Sequence, residues 1–127
     1  MSVERFIQNF SAVVPTAAPA YADLIEIIVP AKATMRVIDF GNYCGTWAAW
    51  GTVYWDFFMD DLPLYPYNHI MDQIGFGTGR QIVQAVDING GHRFRIRAYN
   101  PTAADVRMGI SLAYDMKYQD KEVENVV

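Results

Sequence analysis

Cysteine is nearly absent from this sequence. Its one example, Cys44, has no intramolecular disulfide partner, which removes the small disulfide-stapled secreted domain from the candidates. Histidine is almost as scarce. His69 and His92 lie far apart with no acid or thiol at ligand spacing, so the histidine-carboxylate set of a mononuclear metal site is not available. No metal and no cofactor is expected. Long apolar runs are missing too: the longest, such as Leu24 to Val29, fall far short of the ~18 residues a membrane-spanning helix needs. Near the N-terminus, Ala18-Pro19-Ala20 and Ala20-Tyr21-Ala22 look like small-residue cleavage sites, but Glu4, Gln8 and Asn9 break any apolar stretch ahead of them, so a secretory leader is not expected.

An excess of positive charge is also lacking. Ten Lys and Arg against fourteen Asp and Glu leave a net charge of −4, so no overall field exists to draw in a phosphate backbone or an anionic bilayer. Nucleic acid and membrane are not expected partners. Amphipathic runs of ten or more residues between strands are absent as well, which excludes a βαβ architecture.

What is present is a chain of 127 residues, enough for one core, that is 52% hydrophobic and 14% aromatic. Its apolar surface can offset the entropy of ordering, and its Val, Ile, Thr and aromatic content favours strands. Period-two alternation begins at Asp23. Ile25, Ile27 and Val29 share one face in a first strand; Pro30 to Ala33 turn into a second over Thr34–Phe40, which Gly41-Asn42 is expected to end. Tyr43 to Gly51 reads as a loop. In Thr52–Met59 the apolar face is Val53, Trp55, Phe57 and Met59, and Leu62–Tyr67, with two prolines, is restricted to an edge or connector. One helical turn is expected near His69–Gln73. Gln81–Ile88 is a strand closed by Asn89-Gly90-Gly91, a hairpin signal. The clearest alternation lies in His92–Tyr99 and Val106–Lys117, the first with Phe94, Ile96 and Ala98 opposite Arg93, Arg95 and Arg97.

Seven or so short strands predict an all-β fold, an antiparallel two-sheet β-sandwich that is jelly-roll-like. The domain spans 23–118, with an N-terminal arm and linker over 1–22 and a solvated tail over 119–127. Within the arm, Ala12–Val14 can form a short edge strand, and Pro15 and Pro19 forbid a continuing helix.

Catalytic patterns do not assemble. Gly75-Phe76-Gly77-Thr78-Gly79-Arg80 precedes a strand instead of the helix that a phosphate-cradling loop requires, so it reads as a surface loop. Asp60-Asp61, with Asp56 and Asp72 nearby, could suggest paired carboxylates for glycoside hydrolysis. Adjacent strand residues point to opposite faces, however, and an acidic pair at a strand end reads as a turn. Cys44 reads as an incidental thiol, and no G-x-S-x-G elbow is present. The chain is expected not to be an enzyme.

Binding features remain. Arg93, Arg95 and Arg97 form a row of like charges that needs opposing acids, with Asp56, Asp87 and Asp115 as candidates; otherwise the row serves an intersubunit contact. Phe6 and Phe10 on the arm are the other candidate protein contacts. Trp47, Trp50, Tyr65 and Tyr67 are candidates for stacking on a glycan, in the alternative reading of a glycan- or receptor-binding module.

The succession Ile25-Glu26-Ile27-Ile28-Val29-Pro30-Ala31, Arg36-Val37-Ile38-Asp39-Phe40-Gly41-Asn42, Leu64-Tyr65-Pro66-Tyr67-Asn68 and Tyr99-Asn100-Pro101-Thr102 resembles jelly-roll-like capsid decoration ("cement") and fibre modules of tailed bacteriophages. Lys32 departs from that pattern, in which the turn commonly carries glycine. The resemblance implies a virion structural protein, a decoration or minor capsid subunit at the capsid surface that is made in the host cytoplasm. Its implied partners are the major capsid or other virion proteins and further copies of itself, commonly as a homo-oligomeric trimer. It implies no catalytic residues.

Overall fold

The computed structural model describes residues 2–16, 20–45, 49, 52–64, 67, 70 and 81–119, with backbone alone for 81–85. Among them are eight strands: β1 (Ser2–Val14), β2 (Tyr21–Ile28), β3 (Ala33–Cys44), β4 (Tyr54–Met59), β5 (Leu62–Pro63), β6 (Gln81–Asn89), β7 (Arg93–Tyr99) and β8 (Val106–Tyr118). They form two antiparallel sheets ordered β1-β8-β3-β6 and β2-β7-β4-β5. The first strand stands beside the eighth, the second beside the seventh, the third beside the sixth and the fourth beside the fifth. That is one long hairpin folded over itself, the order of a jelly roll. The expected β-sandwich is therefore present, in its jelly-roll form.

The alternating patterns give the two inner faces. Phe94, Ile96 and Ala98 of β7 and Val53, Trp55 and Phe57 at β4 are fully buried, as are Met108, Ile110 and Leu112 of β8. Each large apolar side chain so buried contributes about 1.5–3 kcal/mol. One aromatic pair bridges the sheets, Phe40 of β3 meeting Phe57 of β4 edge-on at 5.0 Å, and within the second sheet Phe57 meets Phe94 of β7 edge-on at 5.7 Å.

Three local readings are corrected. The Gly41-Asn42 pair does not end β3, because the central strand β8 keeps offering partners, Gly41 to Ser111 and on to Cys44 opposite Met108. A register shift between Val37 and Asp39 lets β3 continue, with Met35 and Val37 inward before it and Phe40, Asn42 and Cys44 inward after it. Asn89-Gly90-Gly91 makes a turn but not a hairpin: β6 pairs with β3 in one sheet, and β7 pairs with β2 and β4 in the other. The turn crosses between sheets and is held by Gly91 N–H donating to Val29 O at 2.9 Å.

The third concerns the N-terminus. The expected short strand at 12–14 is the end of a 13-residue edge strand, β1, which pairs with β8 residue for residue from Ser2↔Tyr118 to Val14↔Val106. Its end is fastened by Asn100, whose buried amide donates to Val14 O at 2.9 Å, and by Thr16, whose N–H donates to Asp105 at 3.0 Å. The expected helical turn at 69–73 lies outside the described residues, apart from Ile70, which forms a β-bridge with Trp55.

Candidate interaction surface

β1 fixes the character of the first sheet's outer face. Its even residues point toward the core side, where Phe6 stacks on Tyr114 with ring centroids 5.0 Å apart, and Phe6 and Phe10 are only half-buried. Its odd residues point outward. Val3, Ile7 and Val13 there are 53%, 70% and 51% exposed. Phe6 and Phe10, the arm residues expected to make contacts, thus sit beneath a strand whose most exposed apolar side chains are its odd ones. The apolar spacing of 2–11 does not reveal this, because Val3, Phe6, Ile7 and Phe10 fall on both faces of a strand.

A row of alternating charge crosses the same outer face. Arg5 of β1, Asp115 of β8, Arg36 of β3 and Asp87 of β6 occupy one level of the register. Arg5 and Arg36 each grip their carboxylate with two bonds, Arg36 Nε to Asp87 Oδ1 at 2.8 Å and Nη2 to Oδ2 at 3.0 Å. Hydrogen bonds from these guanidiniums hold both carboxyls below the usual carboxylate range.

Asp87 and Asp115 consequently do not oppose the arginines of β7, as had been expected. Those arginines lie on the other sheet, where Asp23, Glu26 and Asp61 meet them. Arg97 Nε donates to Asp23 at 2.7 Å, Arg93 reaches Asp61 at 2.9 Å and Glu26 at 3.6 Å, and Arg95 reaches Asp61 at 3.5 Å. Asp56, the remaining expected partner, does stand opposite Arg97 in the β4–β7 register. Aromatic rings complete the packing, with the Arg97 guanidinium 4.1 Å from the Tyr21 ring centre and Arg95 5.0 Å from that of Phe58. The row is a set of ion pairs laid over rings, so less free charge faces outward than three arginines suggest.

Among the described residues, the candidate chemical residues do not converge on one site. His92 Nδ1 lies 2.8 Å from Asp60, whose other carboxylate oxygen accepts the Arg93 N–H at 3.0 Å. Asp60 has φ 56°, and these bonds close its turn while holding its carboxyl below the ordinary value. Asp61 turns to the arginines, as a strand-end pair divided between two roles. Cys44 is buried in the core. Tyr67 is half-buried and packs its ring on Phe40 and Phe57, at 6.3 and 5.8 Å. Trp47, Trp50, Tyr65, His69, Asp72 and the 75–80 loop lie outside the described residues. Among the described residues, no three of His, Cys, Asp and Glu group so as to hold a metal ion.

One cleft of about 650 Å³ opens at the end of the first sheet, lined by Lys32, Thr34, Arg36, Asp87, Asn89 and Lys117 among others. Its lining contains neither histidine nor cysteine, and its one carboxylate is held by Arg36. The described residues present an edge strand with exposed apolar side chains beside a charge-paired sheet face. Compared with known proteins, the chain matches no family model, no curated protein and no solved structure.

Proposed function

We propose that this chain is a non-catalytic structural subunit that binds neighbours in a larger assembly, and more specifically a decoration or minor capsid protein of a tailed phage particle. The observation that carries the reading is β1. A 13-residue edge strand with Val3, Ile7 and Val13 exposed is a template for pairing that soluble proteins ordinarily blunt or cover. A surface of this kind fits a permanent protein neighbour. The jelly-roll order supports the same class, since that fold recurs in viral capsid domains, although it recurs in lectins and cupins too.

Incubating the purified protein with undecorated particles of the virus that encodes it should give stable binding and a higher temperature of particle disruption. Failure to detect the chain in purified virions by mass spectrometry would overturn the capsid assignment.

A further inference from the structure

Edge strands in this molecule are not treated alike. β5 is two residues long and ends in Pro63, and β2 carries a register shift at Asp23/Ile25 together with the acids Asp23 and Glu26. Both devices discourage pairing with another chain. β1 has neither the proline nor the register shift: its pairing with β8 is unbroken, and its charged residues, Glu4 and Arg5, lie near one end. Among the described residues, β1 pairs with β8 alone and no strand pairs with its other edge.

Two of the six residue pairs that flank Gln8 repeat in mirror order, Val3 with Val13 and Phe6 with Phe10. In an antiparallel pairing of two copies centred there, Val3 faces Val13, Phe6 faces Phe10, Gln8 faces itself, and the charged Glu4 and Arg5 face the uncharged Ala12 and Ser11. The two nearest alternatives that keep each side chain on its own face are worse. Centring on Ile7 puts Glu4 against Phe10, and centring on Asn9 puts Arg5 against Val13. Only the Gln8 centre joins like apolar residues on both faces while overlapping the whole of Ser2–Val14, and directly opposed side chains are the unit of sheet stabilisation.

We infer that β1 is a two-fold interface, on which a second copy of this chain adds its own β1 to make one continuous eight-stranded sheet, β6-β3-β8-β1 followed by the same order reversed. The occupant is a second copy because the complementarity is that of the strand with itself. Even residues meet even and odd meet odd, as a two-fold axis perpendicular to the sheet demands. Phe6 and Phe10, half-buried in one copy, then close over each other across the axis. Two strands of this length joined edge to edge bury on the order of 1,000 Å², about the threshold for a specific interface. The inference uses the same strand as the proposed function and replaces the expected trimer with a two-fold contact.

Cysteine crosslinking of the full chain tests the register, because paired residues stand about 4.5–5.5 Å apart between Cα atoms, within disulfide reach. Under mild oxidation Gln8→Cys should form a covalent dimer. Val13→Cys alone should not, since its copies lie ten residues apart along the ladder, whereas Val3→Cys with Val13→Cys in one chain should. Ile7→Lys together with Asn9→Lys opposes like charges at both symmetric positions. That variant should keep the wild-type far-UV circular dichroism while its dimer dissociation constant, by sedimentation velocity, rises at least tenfold.

A wild-type chain that sediments as a monomer or trimer at micromolar concentration would overturn the inference, as would Val13→Cys crosslinking as fast as the Val3, Val13 pair. The two readings fail separately: a monomer that still binds particles sinks only the two-fold contact, and a crosslinked dimer that ignores particles sinks only the capsid assignment.

Discussion

Arg5 of β1 and Asp115 of β8 stand opposite each other in the register and join through two bonds, Nε to Oδ1 at 2.7 Å and Nη2 to Oδ2 at 2.9 Å. The pair clamps the edge strand to the centre of its sheet. Because the Asp115 carboxyl is held below its ordinary value, chiefly by its hydrogen bonds with Arg5, it adds stability at every pH above the unfolded carboxylate value of about 3.9, and loses that stability as pH falls through the folded value. Asp115→Asn should therefore lower the melting temperature at neutral pH, and the gap from wild type should close in acid. Asp87→Asn should follow the same course with a smaller gap, since its side chain is 43% exposed against 10% for Asp115. Melting curves across pH, with hydrogen exchange on β1, would check both.

Gly90 and Gly91 should respond differently to alanine. A Cβ on Gly90 would press on the carbonyl oxygens of Ala31 and Pro30, the latter at 2.6 Å, and both are backbone atoms that cannot swing aside. Gly91 has open space around it but φ of +87°. Gly91→Ala should cost about 1–2 kcal/mol from the left-handed backbone alone, and Gly90→Ala about 3 kcal/mol or more, as overpacking against a rigid neighbour does. Urea unfolding midpoints would order the two, and equal costs would refute the account.

How much of this was legible depended on which physical signal each element carries. β7 and β8 were plain because one face is core and the other is polar or small, so their alternation is clean. β1 was not. As an edge it is wet on both faces, and its Phe6 and Phe10 have a spacing that also suits a helical turn. The break in β3 left only a faint trace, the adjacent apolar residues Val37-Ile38 before Asp39, since an inserted residue shifts the phase of a pattern without erasing it. The row from Arg5 to Asp87 could not be read at all. Its members become neighbours only through pairings that join residues 110 and 51 positions apart, and those pairings belong to the topology.

Arg97 should not be replaceable by lysine. Its Nε bonds Asp23 while the guanidinium plane lies over Tyr21, and an ammonium reproduces neither the fixed fork nor the stacking. Arg97→Lys should cost about 1 kcal/mol. Arg93→Ala, whose main partner Asp61 is highly exposed, should cost about 0.5 kcal/mol or less. A double-mutant cycle pairing Arg97→Lys with Asp23→Ala separates the ion pair from the ring contact: if coupling is negligible, the stack on Tyr21 is the larger part.

Asn42 is fully buried on the inner face of β3, between Phe40 and Cys44 and opposite Ile110. Neither its amide nitrogen nor its amide oxygen has a hydrogen-bond partner among the described residues, and the buried Trp55 Nε1 lacks one as well. An unpaired amide in such a place carries its full desolvation cost, about 1–3 kcal/mol. Asn42→Leu, which removes the polar atoms and leaves no partner orphaned, should raise stability by a comparable amount, whereas Asn42→Ala should gain less because it leaves a void that the neighbouring Phe40 and Ile110 cannot fill. Thermal and urea unfolding of both variants give the comparison. A leucine variant less stable than wild type would mean that the amide is satisfied in solution, and that its place in the core is held by a bond it makes there.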